Sequence, residues 1–262
     1  LSVDKRTRQL PDTTYQPIIP PTMSWTCRWF HLQQRFRKFM SGLEEGRKVV
    51  LRSNQGDCVL VDIQSGSRKI SGLGVIDTLA MMGNSQYGDV FKLGTREFTI
   101  LKPRLTELVT SMRRGAQTIS AKDAGFIIAK SGIGADDVVV EAGLGSGGLS
   151  MHILRALGDD GLLISVENRQ KHADTGLENI QNAIESWACK TEHRCIIGDV
   201  SEEADQIPEN VDAIILDLPD HVSAIKALSS KLKVGGRIAC YCPVSSQMED
   251  AWQAVESAGL VV

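Results

Sequence analysis

No run of 18 or more apolar residues occurs in this 262-residue chain, which excludes a helical membrane span of ordinary length. Cysteine is sparse. The six, at 27, 58, 189, 195, 240 and 242, form no C-x2-C pair, and no histidine falls near them at ligand spacing. No metal centre is expected from such spacing. No signal-peptide pattern is visible, so the thiols read as structural or incidental in a reducing, cytoplasmic compartment. Cys240 and Cys242 alternate along an apolar run, where Cys behaves as a small hydrophobe. With 23% charged residues and 24 glycines lacking any repeat, the chain is neither disordered, collagenous nor coiled-coil. A basic excess is missing too. The formal net charge of −3 argues at first sight against a nucleic-acid partner.

That charge is unevenly placed. Residues 1–42 carry 7 basic and 2 acidic side chains, 43–115 carry 11 and 8, and 116–262 carry 11 and 22. The front of the chain is therefore +8 and the remainder −11. A basic region able to meet RNA phosphates is averaged away by an acidic one.

Proline is also scarce, and four of the eight crowd into positions 11, 17, 20 and 21. With Trp25, Trp29, Phe30, Arg35, Arg37 and Lys38, they make residues 1–40 an irregular basic and aromatic extension. It is expected to be upstream of a true start at Met40. The chain opens on Leu1 and stops at Gly259-Leu-Val-Val262, which reads as the opening of a sixth strand. A partial reading frame is the expectation, with the last, antiparallel part of a sheet missing.

Residues 41–112 form a second unit. Short β-runs at Lys48-Val-Val-Leu-Arg52, Asp57–Ile63, Phe91–Leu93 and Glu97–Leu101 are separated by glycine turns, the pattern of a small antiparallel barrel or sandwich. Residues 102–118 look like a connector. From 113 to 262 apolar strands alternate with helical stretches. Strands are expected at 136–142, 162–167, 194–199, 211–217 and 237–241, and helices at 150–157, 170–187, 222–232 and 246–258. Alternation of this kind predicts a doubly wound, Rossmann-like α/β domain, whose ligands bind beyond the carboxyl ends of the strands.

Strand one runs into Glu141-Ala-Gly143-Leu144-Gly145-Ser146-Gly147-Gly148. The glycines let backbone N–H groups and a helix N-terminus approach a ligand closely. The run also satisfies G-x-G-x-x-G, which NAD, FAD and S-adenosylmethionine sites share. Glu167, at the end of strand two, is placed to take both hydroxyls of a ribose. Asp199 in Gly198-Asp199-Val200 faces the position of an adenine amine, and Asp217 in Leu216-Asp-Leu-Pro219 stands at the mouth. Acids at four successive strand ends suit a cationic sulfonium and repel a pyrophosphate. S-adenosylmethionine is the expected cofactor; an NAD-dependent dehydrogenase ranks below it.

The run Arg113-Arg-Gly-Ala-Gln117-Thr-Ile-Ser-Ala-Lys122-Asp123, the loop at 141–147, Val166-Glu-Asn-Arg169, Gly198-Asp-Val200, Leu216-Asp-Leu-Pro219, Gly235-Gly-Arg237 and Pro243-Val-Ser-Ser-Gln247 together resemble the tRNA (adenine-N1)-methyltransferases of the TrmI/Trm61 type. The resemblance implies transfer of methyl from S-adenosylmethionine to N1 of adenine 58 in the tRNA T-loop, in some members also its neighbour, by a homotetramer. It implies that Gln117 and the 143–148 loop contact the methionine part, with Glu141 in the same wall. Glu167 would hold the ribose with His172 nearby, Asp199 and Val200 would face the adenine, and Asp217 would be catalytic while also bordering the cofactor. The chain departs from the pattern at Ser120, where Tyr is frequent, and at Asp220-His221-Val222, where a Pro-Trp pair is usual. His221 is therefore a candidate to stack on the target base. Two other readings stand beside the enzyme: a methyltransferase with another substrate, and a non-catalytic subunit of a two-subunit tRNA methyltransferase.

Overall fold

A computed structural model describes residues 42–261. The extension expected over 1–40, Cys27 within it, and Val262 lie outside them.

The front unit is built on β1 (Lys48–Ser53), β2 (Cys58–Asp62), β3 (Arg68–Ile70), β4 (Gly74–Ile76), α1 (Thr78–Met82), β5 (Val90–Leu93) and β6 (Arg96–Leu101). β2-β1-β6-β5 form one antiparallel sheet and β3-β4 a separate hairpin. Val49, Leu51, Phe98 and Ile100 point to one face, where Leu73 and Ile76 of the hairpin unit and Met82 of α1 close a core. The alternate face of the sheet also finds cover: Leu60 packs with α2 (Leu105–Ser111) and with Met151 and Ala183 of the following domain. This double cover explains why β1 reads as an unbroken Val-Val-Leu rather than an alternating strand. The hydrogen-bonded closure expected of a barrel is not formed among the described residues: β2 and β5 remain sheet edges, and the hairpin pairs only with itself. Residues 102–118, expected to be a connector, contain α2, whose buried Leu108 joins the two units.

The second domain comprises α3 (Ala121–Ser131), β7 (Val138–Ala142), α4 (Gly148–Leu157), β8 (Leu162–Glu167), α5 (Gln170–Trp187), β9 (Glu192–Ile197), β10 (Val211–Leu216), α6 (His221–Leu228), β11 (Leu232–Cys240) and α7 (Ser245–Ser257). All five strands run parallel, in the order β11-β10-β7-β8-β9. Successive residues feed opposite faces. Val139, Leu163, Ala213 and Ile215 pack with Ile153, Leu154 and Ile180 of α4 and α5, while Val140, Ile164, Ile214 and Leu216 pack with Ile225 and Leu228 of α6 and Ala251 of α7. The doubly wound domain is therefore as expected, and its order reverses between β7 and β10. β11 begins five residues earlier than the sequence indicated, because an irregularity in its pairing with β10 carries the chain past Gly235 and Gly236. Gly259–Val261 join no strand. Leu260 N–H instead donates to Val255 O at 3.1 Å, continuing the end of α7.

Among the described residues no helix is long and apolar enough to cross a membrane.

Candidate active site

β7 ends at Ala142, and the chain turns at Gly143 (φ +98°), Gly145 (φ +55°) and Gly147 (φ +74°) before entering α4. Positive φ at three alternate positions favours glycine at each. At Gly143 space forbids anything larger as well, because a Cβ would fall on the carbonyl oxygen of Asp217. The β7 and β10 termini are thus locked together, and Asp217 N–H donates to Ala142 O at 2.9 Å. α4 starts without a side-chain cap, so its first N–H groups are open toward the crevice.

Four carboxylates from four strands border this crevice. Glu141, 1% exposed, accepts at Oε2 from Ser150 Oγ of α4 (2.5 Å) and Ser165 Oγ of β8 (3.1 Å). Ser165 Oγ also lies 3.1 Å from His193 Nε2, which joins the histidine to the same buried cluster. Burial holds His193 down at about 4 and therefore neutral. Burial also lifts Glu141 to about 8; the two serine bonds oppose the rise, and the charges of Asp217 and Glu167 add to it. Glu141 Oε1 is buried with no partner. Glu167 is as deeply placed: Oε2 accepts from Gly145 N–H at 2.9 Å, and Oε1 from the backbone N–H (3.1 Å) and Nε (3.2 Å) of Arg169. Asp217 is half-buried and its carboxyl is raised by burial, while His221 opposes the rise and Glu167 adds to it. Asp199 is exposed and its Oδ1 takes both Ser201 N–H (2.9 Å) and Oγ (2.6 Å).

The segment 113–117 is pinned over the glycine loop from two sides. Ser146 Oγ accepts from the N–H groups of Gly115 and Ala116, each at 3.0 Å. Asn179 of α5, 4% exposed, accepts from Arg113 N–H (3.0 Å) and donates to Arg113 O (2.8 Å) and Ser146 O (2.9 Å). Arg113 also ion-pairs with Glu178. Asn179→Ala strands one N–H and two carbonyls, at about 1–3 kcal/mol for each unpaired buried group. Chemical denaturation is expected to show a loss of about 3 kcal/mol, the lower end of that cost for three groups, and cofactor affinity should fall with it as the Gln117 segment loosens.

Two adjoining cavities result. One of about 310 Å³ is walled by Gln117, Glu141, Leu144, Gly145, Ser146, Gly148 and His172. The other, of about 200 Å³, is walled by Gly198, Asp199, Val200, Leu218, Pro219 and Asp220. Gly143, Glu167, Arg169 and Asp217 border both. Every residue assigned from the sequence to the cofactor or to catalysis lines one of the two cavities except Gly147, while Ser120 and His221 line neither. The absent Cβ of Gly147 instead makes room for Gly176 O and Ile180 of α5, so it serves helix packing. His172 Nδ1 is buried and unpartnered beside the larger cavity. Ser120 caps α3, accepting from Asp123 N–H at 3.2 Å. His221 is neither solvated nor free to stack on a base: it is 2% exposed, with Nε2 3.8 Å from Cys242 Sγ. Gln247 of α7 donates to Pro219 O at 3.3 Å and ties down the loop after Asp217. Arg169 and Asn179 were missed. Arg169 lies in the quoted Val-Glu-Asn-Arg run, but nothing in a run of letters shows that it caps Glu167.

Among the described residues no group of three or more His, Cys, Asp or Glu is arranged to hold a metal. Residues 99–261 match the family of the tRNA methyltransferase complex GCD14 subunit. The chain belongs to that family. It is 30% identical over 187 residues to a Methanocaldococcus jannaschii tRNA (adenine(57)-N(1)/adenine(58)-N(1))-methyltransferase, the alignment covering 62% of this chain and 64% of that one. The chain thus spans just under two thirds of that relative's length. A Thermus thermophilus tRNA (adenine(58)-N(1))-methyltransferase is 27% identical over 209 residues, 80% of each chain. A Thermotoga maritima SAM-dependent O-methyltransferase structure superposes with a TM-score of 0.68 at 27% identity, covering 82% of this chain and 78% of that one. The GCD14-family match begins within β6, so it takes in the whole α/β domain with both cavities.

Proposed function

We propose that this protein transfers the methyl group of S-adenosylmethionine to N1 of adenine in the T-loop of tRNA, at position 58 and also at 57 if it follows the archaeal relative. The observation that carries the cofactor reading is the convergence of Glu141, Glu167, Asp199 and Asp217 on two adjoining cavities beside an uncapped helix N-terminus. A carboxylate-lined crevice suits a cationic sulfonium and opposes the phosphates of a dinucleotide. The residues fit the group: Gly143, Gly145 and Gly148 wall the larger cavity with bare backbone beside the uncapped start of α4, and Glu141 presents a buried, unpartnered oxygen. The family relatives support tRNA adenine as the acceptor.

When bound, the cofactor supplies an activated methyl on positive sulfur. Glu141, Gln117, His172 and the 143–148 loop hold its amino-acid end, Glu167 the ribose, and Asp199 with Val200 the adenine. Adenine N1 offers a lone pair and no proton, so the protein needs no strong base, only alignment. The target base leaves its stack to reach the crevice. Asp217 then accepts from the exocyclic amine, and its charge is placed where the product base becomes cationic. The basic excess before residue 116 suits an acceptor that carries phosphates. The family resemblance supports a cytoplasmic homotetramer, and exposed Met248 and Trp252 on α7 offer apolar surface for an assembly to bury.

Labelled S-adenosylmethionine should methylate an unmodified tRNA transcript and leave one with the T-loop adenine replaced unlabelled. Equal incorporation into both would overturn the site assignment.

A further inference from the structure

Glu167 has more demands on it than lone pairs to meet them. Its two oxygens offer about four acceptor positions. Three are filled in the cofactor-free protein: Gly145 N–H takes one on Oε2, and the N–H and Nε of Arg169 take both on Oε1. A ribose diol brings two donors and finds one position open. One existing donor must leave. The two backbone N–H groups are held by the glycine loop and by the start of α5, whereas the Arg169 side chain is 65% exposed and free to turn. Its partner is only 2% exposed at the side chain, so the guanidinium now stands where a hydroxyl would enter.

Arg169 borders both cavities, and among the described residues it is the one Lys or Arg that lines either. A guanidinium displaced from Glu167 stays tethered at the junction beside Asp217, next to a cationic cofactor that repels it. The carboxylates of that mouth are already engaged in the assignment above, Glu167 by the ribose, Asp199 by the adenine and Asp217 by the target base, and Asp220 caps α6, so the partner left for a freed arginine is an anion brought by the acceptor. An RNA acceptor brings one on every nucleotide.

Resting on the cofactor and substrate assigned above, we propose that Arg169 is a latch: it occupies the ribose position on Glu167 in the cofactor-free protein, yields when the cofactor enters, and then meets a phosphate of the tRNA. Cofactor and RNA therefore bind in a favoured order, because the cation that helps hold RNA is released by the cofactor. Arg169 is a positioning residue in this scheme and does not touch the reacting methyl.

The test uses S-adenosylhomocysteine, which keeps the ribose and lacks the transferable methyl. Calorimetry should show Arg169→Met binding it about three- to ten-fold more tightly than the wild type, since a competing ion pair is gone. Arg169→Lys, which keeps the charge and loses Nε, should fall between them. In a salt titration with unmodified tRNA transcript, saturating S-adenosylhomocysteine should steepen the wild-type slope by about one unit relative to Arg169→Met. Without the nucleoside the two slopes should coincide. Equal or weaker nucleoside binding by Arg169→Met overturns the latch, and coincident slopes in its presence overturn the phosphate contact. A wild type that binds no S-adenosylhomocysteine overturns the cofactor reading itself, a result separable from failure of the latch alone.

Discussion

Asp217→Ala should slow methyl transfer by about 10²–10³-fold, the usual cost of losing one preorganised group aimed at developing charge, while cofactor affinity stays within a few-fold. Asp217 is held by its own backbone: its N–H donates to Ala142 O at 2.9 Å, and its carbonyl occupies the space left by the missing Cβ of Gly143. The point from which the carboxylate projects is therefore fixed before any ligand arrives. It is half-buried, and burial is the first cause raising its pKa, so its charge acts in a medium that screens poorly. In the proposed reaction methylation at N1 creates a cation on the base, so the interaction with Asp217 would strengthen along the reaction rather than on binding. That is the condition for an effect on rate instead of affinity. Asp217→Asn should be intermediate, keeping an acceptor for the amine and losing the charge. Single-turnover rates with tRNA, paired with calorimetry on S-adenosylhomocysteine, separate the two quantities. If affinity fell as far as rate, Asp217 would be a cofactor-holding group.

Much of this crevice could be read from strand ends. The α/β strands are apolar on both faces, so Val138–Ala142 and Val211–Leu216 stand out without any partner being known. The amphipathic 170–187 stretch matches α5 at both ends. Carboxylates at the carboxyl ends follow from the topology, because a parallel doubly wound sheet places all those ends on one side. What stayed hidden depends on distant pairing. Asn179 bonds to Arg113 across 66 residues, and no local pattern marks an asparagine in the middle of a helix as a strut. Strand spacing in the front unit showed β1, β2, β5 and β6 but not which edges pair, so an open sheet with a hairpin looked like a barrel. α2 is too short for periodicity to reveal, and it is bounded by the Pro103 and Arg113-Arg-Gly signals that made it look like a linker. Gly147 reads as part of the ligand cradle because glycines alternating at 143, 145 and 147 look alike in sequence, and nothing local distinguishes those that admit a ligand from one that admits a helix.

Glu141 carries the second large effect, in the pH dependence of both stability and cofactor binding. Its folded pKa of about 8 lies above the ordinary carboxylate value of 4.5, chiefly because the side chain is buried. Between those values the folded protein holds a proton that the unfolded chain has released. The unfolding free energy therefore falls as pH rises through this window: the contribution is full below about 4.5 and is lost as pH passes about 8. Glu141→Gln removes the titration and should flatten this part of the profile, leaving the variant more stable than the wild type at pH 8.5, relative to pH 5, by on the order of a few kcal/mol. Denaturant melts at the two pH values measure this difference. Binding runs the other way. A cation brought against the unpartnered Oε1 favours the ionised carboxylate, so the complex sheds the proton that the free protein held. At pH 7 cofactor binding should release close to one proton, and affinity should rise with pH until it levels near 8. Calorimetry of S-adenosylmethionine binding in two buffers of different ionisation enthalpy counts that proton directly. Glu141→Gln should bind more weakly and release none. A variant that still released the proton would place the titrating group elsewhere, with Asp217, whose carboxyl burial also raises, the next to test.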